Sequence, residues 1–478
     1  MKRAAGLAAV ALLGSMACAV NPVTGRRELM LLSQEQEIQL GRENDELVVA
    51  EYGLYDDPEL TEWIEQTGQT MAAASERPQL PWTFRVVDDT VVNAFALPGG
   101  YIYMTRGILA YMNSEAEAAG VLGHEIGHVT ARHGAQRYTG SSLAQIGLAA
   151  GSVLSPEVRA LGGILQTGVG LLFLKFGRDD ELQSDQLGVG YAVGAEYDPR
   201  SLAAFFRTIS AMSEAGGGGL PTWLSTHPAP ENRVERVLAA AEPLVAGRAD
   251  LRIGREAYLR RVDGIVFGPN PRQGVVMDGT FKHPDLLFQI DFPAGWQLQN
   301  GKRAVVSAPD SGEVIVGLTA APMQGGSLEA HASAAMQARS ATAVTGAATS
   351  VGGLPAYRVQ YEVTSSEIAV HVSEAFVHYG DSVYDLVGYS CVTVFDSHAG
   401  TIDRWQRSFR LLPQSEADRY HPDRLEVFEV SRAGPLASLV TAGPAASLDT
   451  LLLLNGGHAD THIKRGTLIK RVRAGYRR

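Results

Sequence analysis

Cysteine is nearly absent from this chain: Cys18 and Cys391 are the only two in 478 residues. That excludes a disulfide-built scaffold and any metal site made from clustered thiolates. No apolar run is both long and clean enough to cross a bilayer. Ala4 to Leu13 is too short, and the Gly- and Ala-rich stretch from Gly140 to Phe176 is interrupted by Pro156, Glu157 and Arg159. Positive charge is in deficit, 41 Lys and Arg against 52 Asp and Glu for a net charge of −11, which argues against a nucleic-acid partner. Phosphate-binding loops, nucleophile elbows and solenoid-type repeats are also missing. What remains is ordinary globular composition, 45% apolar and 19% charged, in a chain long enough for two to four domains.

Residues 1–17 have the layout of a secretory signal: Lys2 and Arg3, the apolar run to Leu13, then the small residues Gly14, Ser15 and Ala17. Cys18 directly afterwards is the candidate lipid-attachment residue of a bacterial lipoprotein, although Ser15 stands where such signals usually carry Leu. Ala19 behind it, rather than Asp, points to the outer membrane by similarity to the bacterial sorting rule. A lipidated Cys18 would leave Cys391 without an intrachain partner. The turn-rich stretch Asn21 to Gly25 reads as a tether, and Ser33 with Gln36 opens a helical pattern.

The strongest stretch is SEAEAAGVLGHEIGHVTARHG, Ser114 to Gly134. Ser114 with Glu117 forms a capping box, and Gly134 stands where a left-handed stop residue belongs. Four residues is just over one helical turn, so His124 and His128 project from one face. Two neutral imidazoles so placed can share one Zn²⁺, and Glu125, about 100° around the helix, can reach a water held there. That is the spacing of a zinc-dependent peptidase. The alternative is a core helix that happens to carry two histidines.

Upstream, NAFALPGGYIYMT reads as strand, turn and strand before that helix. If one strand is an exposed edge beside the metal, an extended peptide can pair with Asn93, Ala94 and Phe95 main chain to main chain. Such binding is largely blind to side-chain identity, which suits unfolded polypeptide. Gly140 to Phe176 reads as a buried helical hairpin, with a lid over the metal or a membrane-touching surface as alternatives.

A catalytic zinc takes three protein ligands and keeps a fourth position open. A third histidine at position 134 is excluded, because the residue is Gly134. A carboxylate on the following helix, GRDDELQSDQLG, is the remaining answer. Glu181 and Asp185 are four apart and share a face. Glu181 is the candidate ligand, with Asp185 placed to accept a hydrogen bond from a ligand imidazole. Asp179, Asp180 and His133 compete as ligands, and a charged helix N-terminus accounts for the acidic run equally well.

Taken together, Asn21 to Leu32 (NPVTGRRELMLL), NAFALPGG, HEIGHVTARH and Glu181 to Asp185 resemble a known family. It is the zinc metallopeptidase family that includes CAAX prenyl protease, HtpX-like heat-shock proteases and the periplasmic beta-barrel assembly-enhancing protease. The resemblance implies zinc held by both histidines of HExxH and the Glu of an ExxAD motif, here ELQSD with Ser184 in place of Ala. Arg178 matches the arginine usual before that Glu, and His133 falls among the groups around the ligands. THPAPENR resembles the family's HP…R element, which implies transition-state roles for His227 and Arg233 and a possible approach of that histidine to the zinc. The resemblance covers roughly residues 20–270.

Gly268, Pro269 and Pro271 mark a boundary. Residues 275–415 read as an α+β domain of short alternating strands with one helix from Ser327 to Ala343, and FPAGW resembles a motif of PsbP/Mog-like domains. Its histidines, His283, His331, His371, His378 and His398, lack metal-ligand spacing. Residues 424–474 read as strand, helix and strand and resemble a LysM-like module, which in other proteins binds peptidoglycan. Arg432 to Pro435 replaces that module's usual turn, so a structural cap is the alternative role.

The expected architecture is α+β: a mainly helical zincin-type domain with a small sheet over 18–270, then the two accessory regions. The expected function is a zinc metalloendopeptidase with one Zn²⁺ per chain, lipid-anchored in the bacterial envelope and facing the periplasm. Its expected substrates are misfolded or unassembled envelope proteins, with peptidoglycan a further candidate partner. The rival is a chaperone-like or adaptor lipoprotein whose peptidase site is latent.

Overall fold

The computed structural model describes residues 18–140, 175–215, 222–228, 232–277, 279–364 and 369–475. The expected signal segment and most of the Gly140 to Phe176 stretch lie outside them. The fold is α+β, and the chain forms two compact units. One comprises the residues up to Pro269 together with Asp423–Ala474; the other is Asn270–Pro422.

In the first unit, β1 (Cys18–Val20) pairs antiparallel with β2 (Arg27–Leu29). The intervening turn is docked rather than acting as a free tether. Asn21 is 1% exposed; its Oδ1 accepts from Val23 and Thr24 N–H, and its Nδ2 donates to Ala131 O at 3.0 Å. Helix α1 (Gln34–Tyr52) opens on the expected Ser33/Gln36 capping box, and α2 (Pro58–Ala73) on Asp57, whose side chain accepts from Leu60 N–H. A three-stranded sheet follows, β3 (Thr83–Val87), β4 (Ala94–Leu97) and β5 (Tyr101–Thr105), in the order β3-β5-β4. The expected hairpin is therefore β4–β5, antiparallel with Phe95 opposite Tyr103, and β4 is an edge strand.

Helix α3 (Arg106–Tyr111) leads into α4 (Glu115–Thr130), the HEIGH helix, every residue of which is buried. Its start departs from the expected capping box. Ser114 Oγ does accept from Glu117 N–H at 3.1 Å, but the Glu117 carboxylate accepts from Asn113 N–H at 2.8 Å instead of from the cap residue. Its end departs too. The helix stops at Thr130, the left-handed residue is Arg132 at φ 63°, and helix resumes over 133–140 with Gly134 inside it. Side chains from elsewhere take the terminal carbonyls: Arg77 Nη1 donates to Val129 O at 3.0 Å and Asn21 to Ala131 O. Arg132 is held by Glu37 and by Leu32 O, contacts that offset the cost of its positive φ.

The remaining helices are α5 (Arg178–Gly194), α6 (Arg200–Ala215), α7 (Thr222–Thr226), α8 (Arg233–Val245) and α9 (Arg255–Arg261). Two glycines let α4 and α5 meet backbone to backbone. A methyl at Gly188 would sit 2.8 Å from His124 N, and one at Gly127 would sit 3.0 Å from Ser184 Cα. Among the described residues no helix is long and apolar enough to cross a membrane.

The second unit is built on a seven-stranded antiparallel sheet. Its strands β6 (Gln297–Asn300), β7 (Ala304–Ala308), β8 (Val314–Pro322), β9 (Thr342–Val351), β10 (Leu354–Thr364), β11 (Ala369–Tyr379) and β12 (Ser382–Cys391) run in the order β9-β10-β11-β12-β8-β7-β6. Helix α10 (Leu328–Ala338) ends earlier than expected, because Ser340 turns at φ 53° and β9 begins. It shares a core with Val359 and Phe376, whereas α11 (Phe395–Arg407) packs into a separate core with Phe288 and Leu386. His283, His331 and His371 lie against the rings of Phe288, Phe376 and Phe395.

Back in the first unit, β13 (Arg424–Glu429) pairs antiparallel with β14 (Leu468–Arg473), and α12 (Leu448–Leu454) lies between them in sequence. Leu425, Leu451, Leu454 and Ile469 share one continuous core with Leu109, Leu122 and Phe205. The seam carries an unusual group: Lys470 is fully buried, and its Nζ donates to Ala110 O and Met112 O, each at 2.8 Å. Burial pushes the Lys470 ammonium down and the Glu117 carboxyl up to about 7, and each charge offsets part of the other's cost. Replacing Lys470 with Met keeps the chain length but strands two carbonyls and the Glu117 charge. Urea unfolding should register a loss of about 3 kcal/mol from the first unit; an unchanged midpoint would show that the seam contributes nothing.

Candidate metal centre

Helix α4 supplies His124, Glu125 and His128, α5 supplies Glu181 and Asp185, and α7 with the start of α8 supplies His227 and Arg233. His124, His128, Glu181 and His227 each offer a ligand atom within 4.8 Å of all the others, and all four are buried. The two Nε2 atoms of His124 and His128 face each other at 3.0 Å. Glu181 Oε1 lies 3.4 Å from His128 Nε2, and Oε2 lies 3.6 Å from His124 Nε2. A tetrahedral ion with bonds of about 2.0–2.1 Å separates its ligands by about 3.3–3.4 Å, so this donor set fits zinc. Two buried imidazole nitrogens pointing at one another are otherwise hard to satisfy. His227 adds Nδ1 at 3.3 Å from His124 Nε2 and 3.0 Å from Glu181 Oε1.

Surrounding groups orient the ligands. Asp185 Oδ1 lies 2.8 Å from His124 Nδ1, which leaves Nε2 free as a ligand atom. On the other histidine, His128 Nδ1 lies 3.0 Å from His133 Nδ1, and His133 Nε2 lies 3.0 Å from Gln183 Oε1. The chain of donors runs from His128 through His133 to Gln183. Burial lowers both His128 and His133, so each is neutral as a ligand or ligand partner must be. Burial works against the Glu181 charge, yet the His227 and His128 imidazoles hold it well below the usual carboxylate range. Asp185 is likewise held low against burial by Arg233 and His124.

Arg233 is turned towards these carboxylates. Its Nε and Nη2 grip Asp185 at 2.8 and 2.7 Å, Nη2 also meets Glu181 Oε2 at 3.1 Å, and the guanidinium is flanked by Phe206 and Trp223 at 4.0 and 4.7 Å. It lies among the ligands' supports, and its Nη1 has no hydrogen-bond partner. Arg178, expected beside Glu181, is exposed at the first turn of α5.

Glu125 is fully buried, and neither carboxylate oxygen has a hydrogen-bond partner. His227 Nε2 is 3.6 Å from its Oε1 and also lacks a partner. Burial raises the Glu125 carboxyl, opposed by His227 and His124. For His227, burial alone would lower the imidazole, but the charges of Glu181 and Glu125 override it and raise it. The Trp223 indole lies close enough to favour the charged form of Glu125, although its N–H falls short of hydrogen-bond geometry.

On the edge strand, the Phe95 ring stacks on Tyr103 at 4.8 Å and is buried away from the metal ligands, so only its main chain can meet a peptide. Ala94 is fully buried, and the half-buried Asn93 carries an unpartnered Oδ1. Two aromatic neighbours escaped the sequence reasoning. Trp223 stacks on His227 at 5.0 Å, and Phe176 on His128 at 3.9 Å. The available signal for Trp223 was its place four residues, one helical turn, before His227. Phe176 had none beyond its position next to Gly177.

The model of peptidase family M48 matches residues 58–241. The chain is 32% identical over 222 residues to the putative beta-barrel assembly-enhancing protease of Vibrio cholerae, covering 44% of this chain and 46% of that protein. It is 33% identical to the mitochondrial metalloendopeptidase OMA1 of Arabidopsis thaliana, covering 38% of this chain and 36% of that protein. The chain thus spans less than half the length of these two relatives. The cyanobacterial PsbP of Synechocystis matches 29% of this chain and 95% of its own at 13% identity, with a TM-score of 0.25 too low to bear on the fold. Both HExxH histidines and Glu181 fall inside the M48 match.

Asp185→Asn should keep the helix but loosen His124 and leave Arg233 half-paired. Zinc affinity, measured by chelator competition, is expected to fall about 10–100-fold with unchanged circular dichroism. Retention of full affinity would remove Asp185 from the ligand support.

Proposed function

We propose that this chain is a zinc-dependent metalloendopeptidase, with His124, His128 and Glu181 holding one Zn²⁺ and Glu125 acting as general base. The observation that carries the reading is Glu125 itself. Two unpartnered carboxylate oxygens, fully buried beside a converging His–His–Glu set, are costly in any fold that does not use them. A bound zinc ion supplies the Lewis acidity that polarises the scissile carbonyl and acidifies water. Glu125, whose carboxyl is raised by burial, accepts the proton of the attacking water and returns it to the leaving amine. His227, drawn towards its charged form by two carboxylates, faces Glu125 from the opposite side and steadies the developing oxyanion through Nε2. In this reading Arg233 is a positioning residue, fixing Glu181 and Asp185 in place.

Substrate main chain would align along β4, at Asn93, Ala94 and Phe95, as an added strand. Lipid on Cys18 would tether the enzyme to an envelope membrane facing the periplasm. Misfolded or unassembled envelope proteins are the proposed substrates, a reading supported by the name of the Vibrio cholerae relative. Binding of peptidoglycan by residues 424–474 stays a weaker part of the proposal, since the apolar side of that segment is spent on the core of the first unit.

Zinc-loaded full-length protein should cleave unfolded casein, and Glu125→Gln should retain the metal while losing about 10³-fold in rate. If neither protein cuts with zinc confirmed bound, the latent or adaptor reading takes over. Equal cutting by both would remove Glu125 from the mechanism.

A further inference from the structure

Phe176 stands immediately ahead of Gly177, the N-cap of α5, and is half-buried. Its backbone N–H donates to Thr226 O at 3.3 Å, which pins it beside His227. Its ring lies face-on over two imidazoles at once, 3.9 Å from the His128 centroid at 26° and 5.5 Å from that of His227 at 29°. The same ring closes a crevice between edge strand β4 and helix α4. Ala96, Leu97, Pro98, His128 and the Glu37–Arg132 ion pair are among its other walls, and only about 10 Å³ remains free within it. That is about the room needed for a single water.

A peptide added to β4 places alternate side chains on opposite faces. One side chain flanking the bond held between His128 and His227 must then enter this crevice. With the ring in place, a hydrogen or a methyl fits there and a leucyl or phenylalanyl side chain does not. We propose that Phe176 is a specificity-determining residue, which confines cleavage to bonds flanked on the His128 side by Gly, Ala or Ser. The proposal rests on the peptidase reading above. The ring contributes size and face, with no proton or charge of its own, so its removal should change which substrates fit.

The test compares zinc-loaded wild type, Phe176→Ala and Phe176→Leu on peptides varied at the two residues flanking the scissile bond. Wild type is expected to accept only small residues at one of these positions. Phe176→Ala should raise kcat/KM for Leu and Phe there at least tenfold relative to that for Ala, with Phe176→Leu intermediate. A second readout needs no turnover. In a Glu125→Gln background, fluorescence anisotropy should show Phe176→Ala binding the leucyl peptide at least tenfold more tightly than the parent, with the alanyl peptide unchanged. Identical profiles for wild type and both variants at equal zinc content would overturn the assignment of Phe176 alone. Absence of cutting by every form would instead bring down the peptidase reading, and this inference with it. Should Phe176→Ala fail to fold, Phe176→Leu carries both comparisons.

Discussion

The site depends on how closely α4 and α5 approach. Where a methyl on Gly188 would touch His124 N at 2.8 Å, two backbones are in contact, and no side chain can stand between them. That contact brings Glu181 and Asp185, on one face of α5, to His124 and His128 on the facing side of α4. A wider separation would turn the same four residues into four unrelated buried polar groups. Gly127, the fourth letter of HEIGH, is therefore a packing residue inside a chemical motif.

Around that contact the charges are arranged so that each ligand reaches the centre in the protonation state a metal requires. The imidazoles of His128 and His133 are kept neutral by burial, Glu181 is kept ionised by the imidazoles around it, and Asp185 is kept ionised by Arg233. Glu125 is the exception, left without partners and raised by burial. A buried carboxylate with neither oxygen hydrogen-bonded, beside a converging set of ligands, is the arrangement expected of a base.

The rest of the first unit holds the two ends of α4. Its C-terminal carbonyls are met by Arg77 and Asn21, and Lys470, 346 residues beyond His124 in sequence, reaches the carbonyls just before its start. Residues 423–474 are thereby part of the body that frames the metal centre.

Much of this was legible in the amino-acid order. Helix starts at Ser33, Ser114 and Ser327, the β4–β5 hairpin and the shared face of His124 and His128 follow from signals that act over three or four residues. The motif spacing named the chemistry, and the resemblance named Glu181. Other features depend on partners that are distant in the chain. Thr130 rather than Gly134 ends α4, because side chains from positions 21 and 77 take its last carbonyls. The guanidinium of Arg233 turns to Asp185 and Glu181 between the faces of Phe206 and Trp223, contacts that no local spacing announces. Phe176 and Trp223 became part of the site through ring contacts with histidines 48 residues upstream and four residues downstream, respectively. By itself the sequence determined the helices and the residue types that can bind and activate. Only the tertiary structure decided which way each buried polar group faces, because that choice is made by desolvation and by partners that local periodicity does not register.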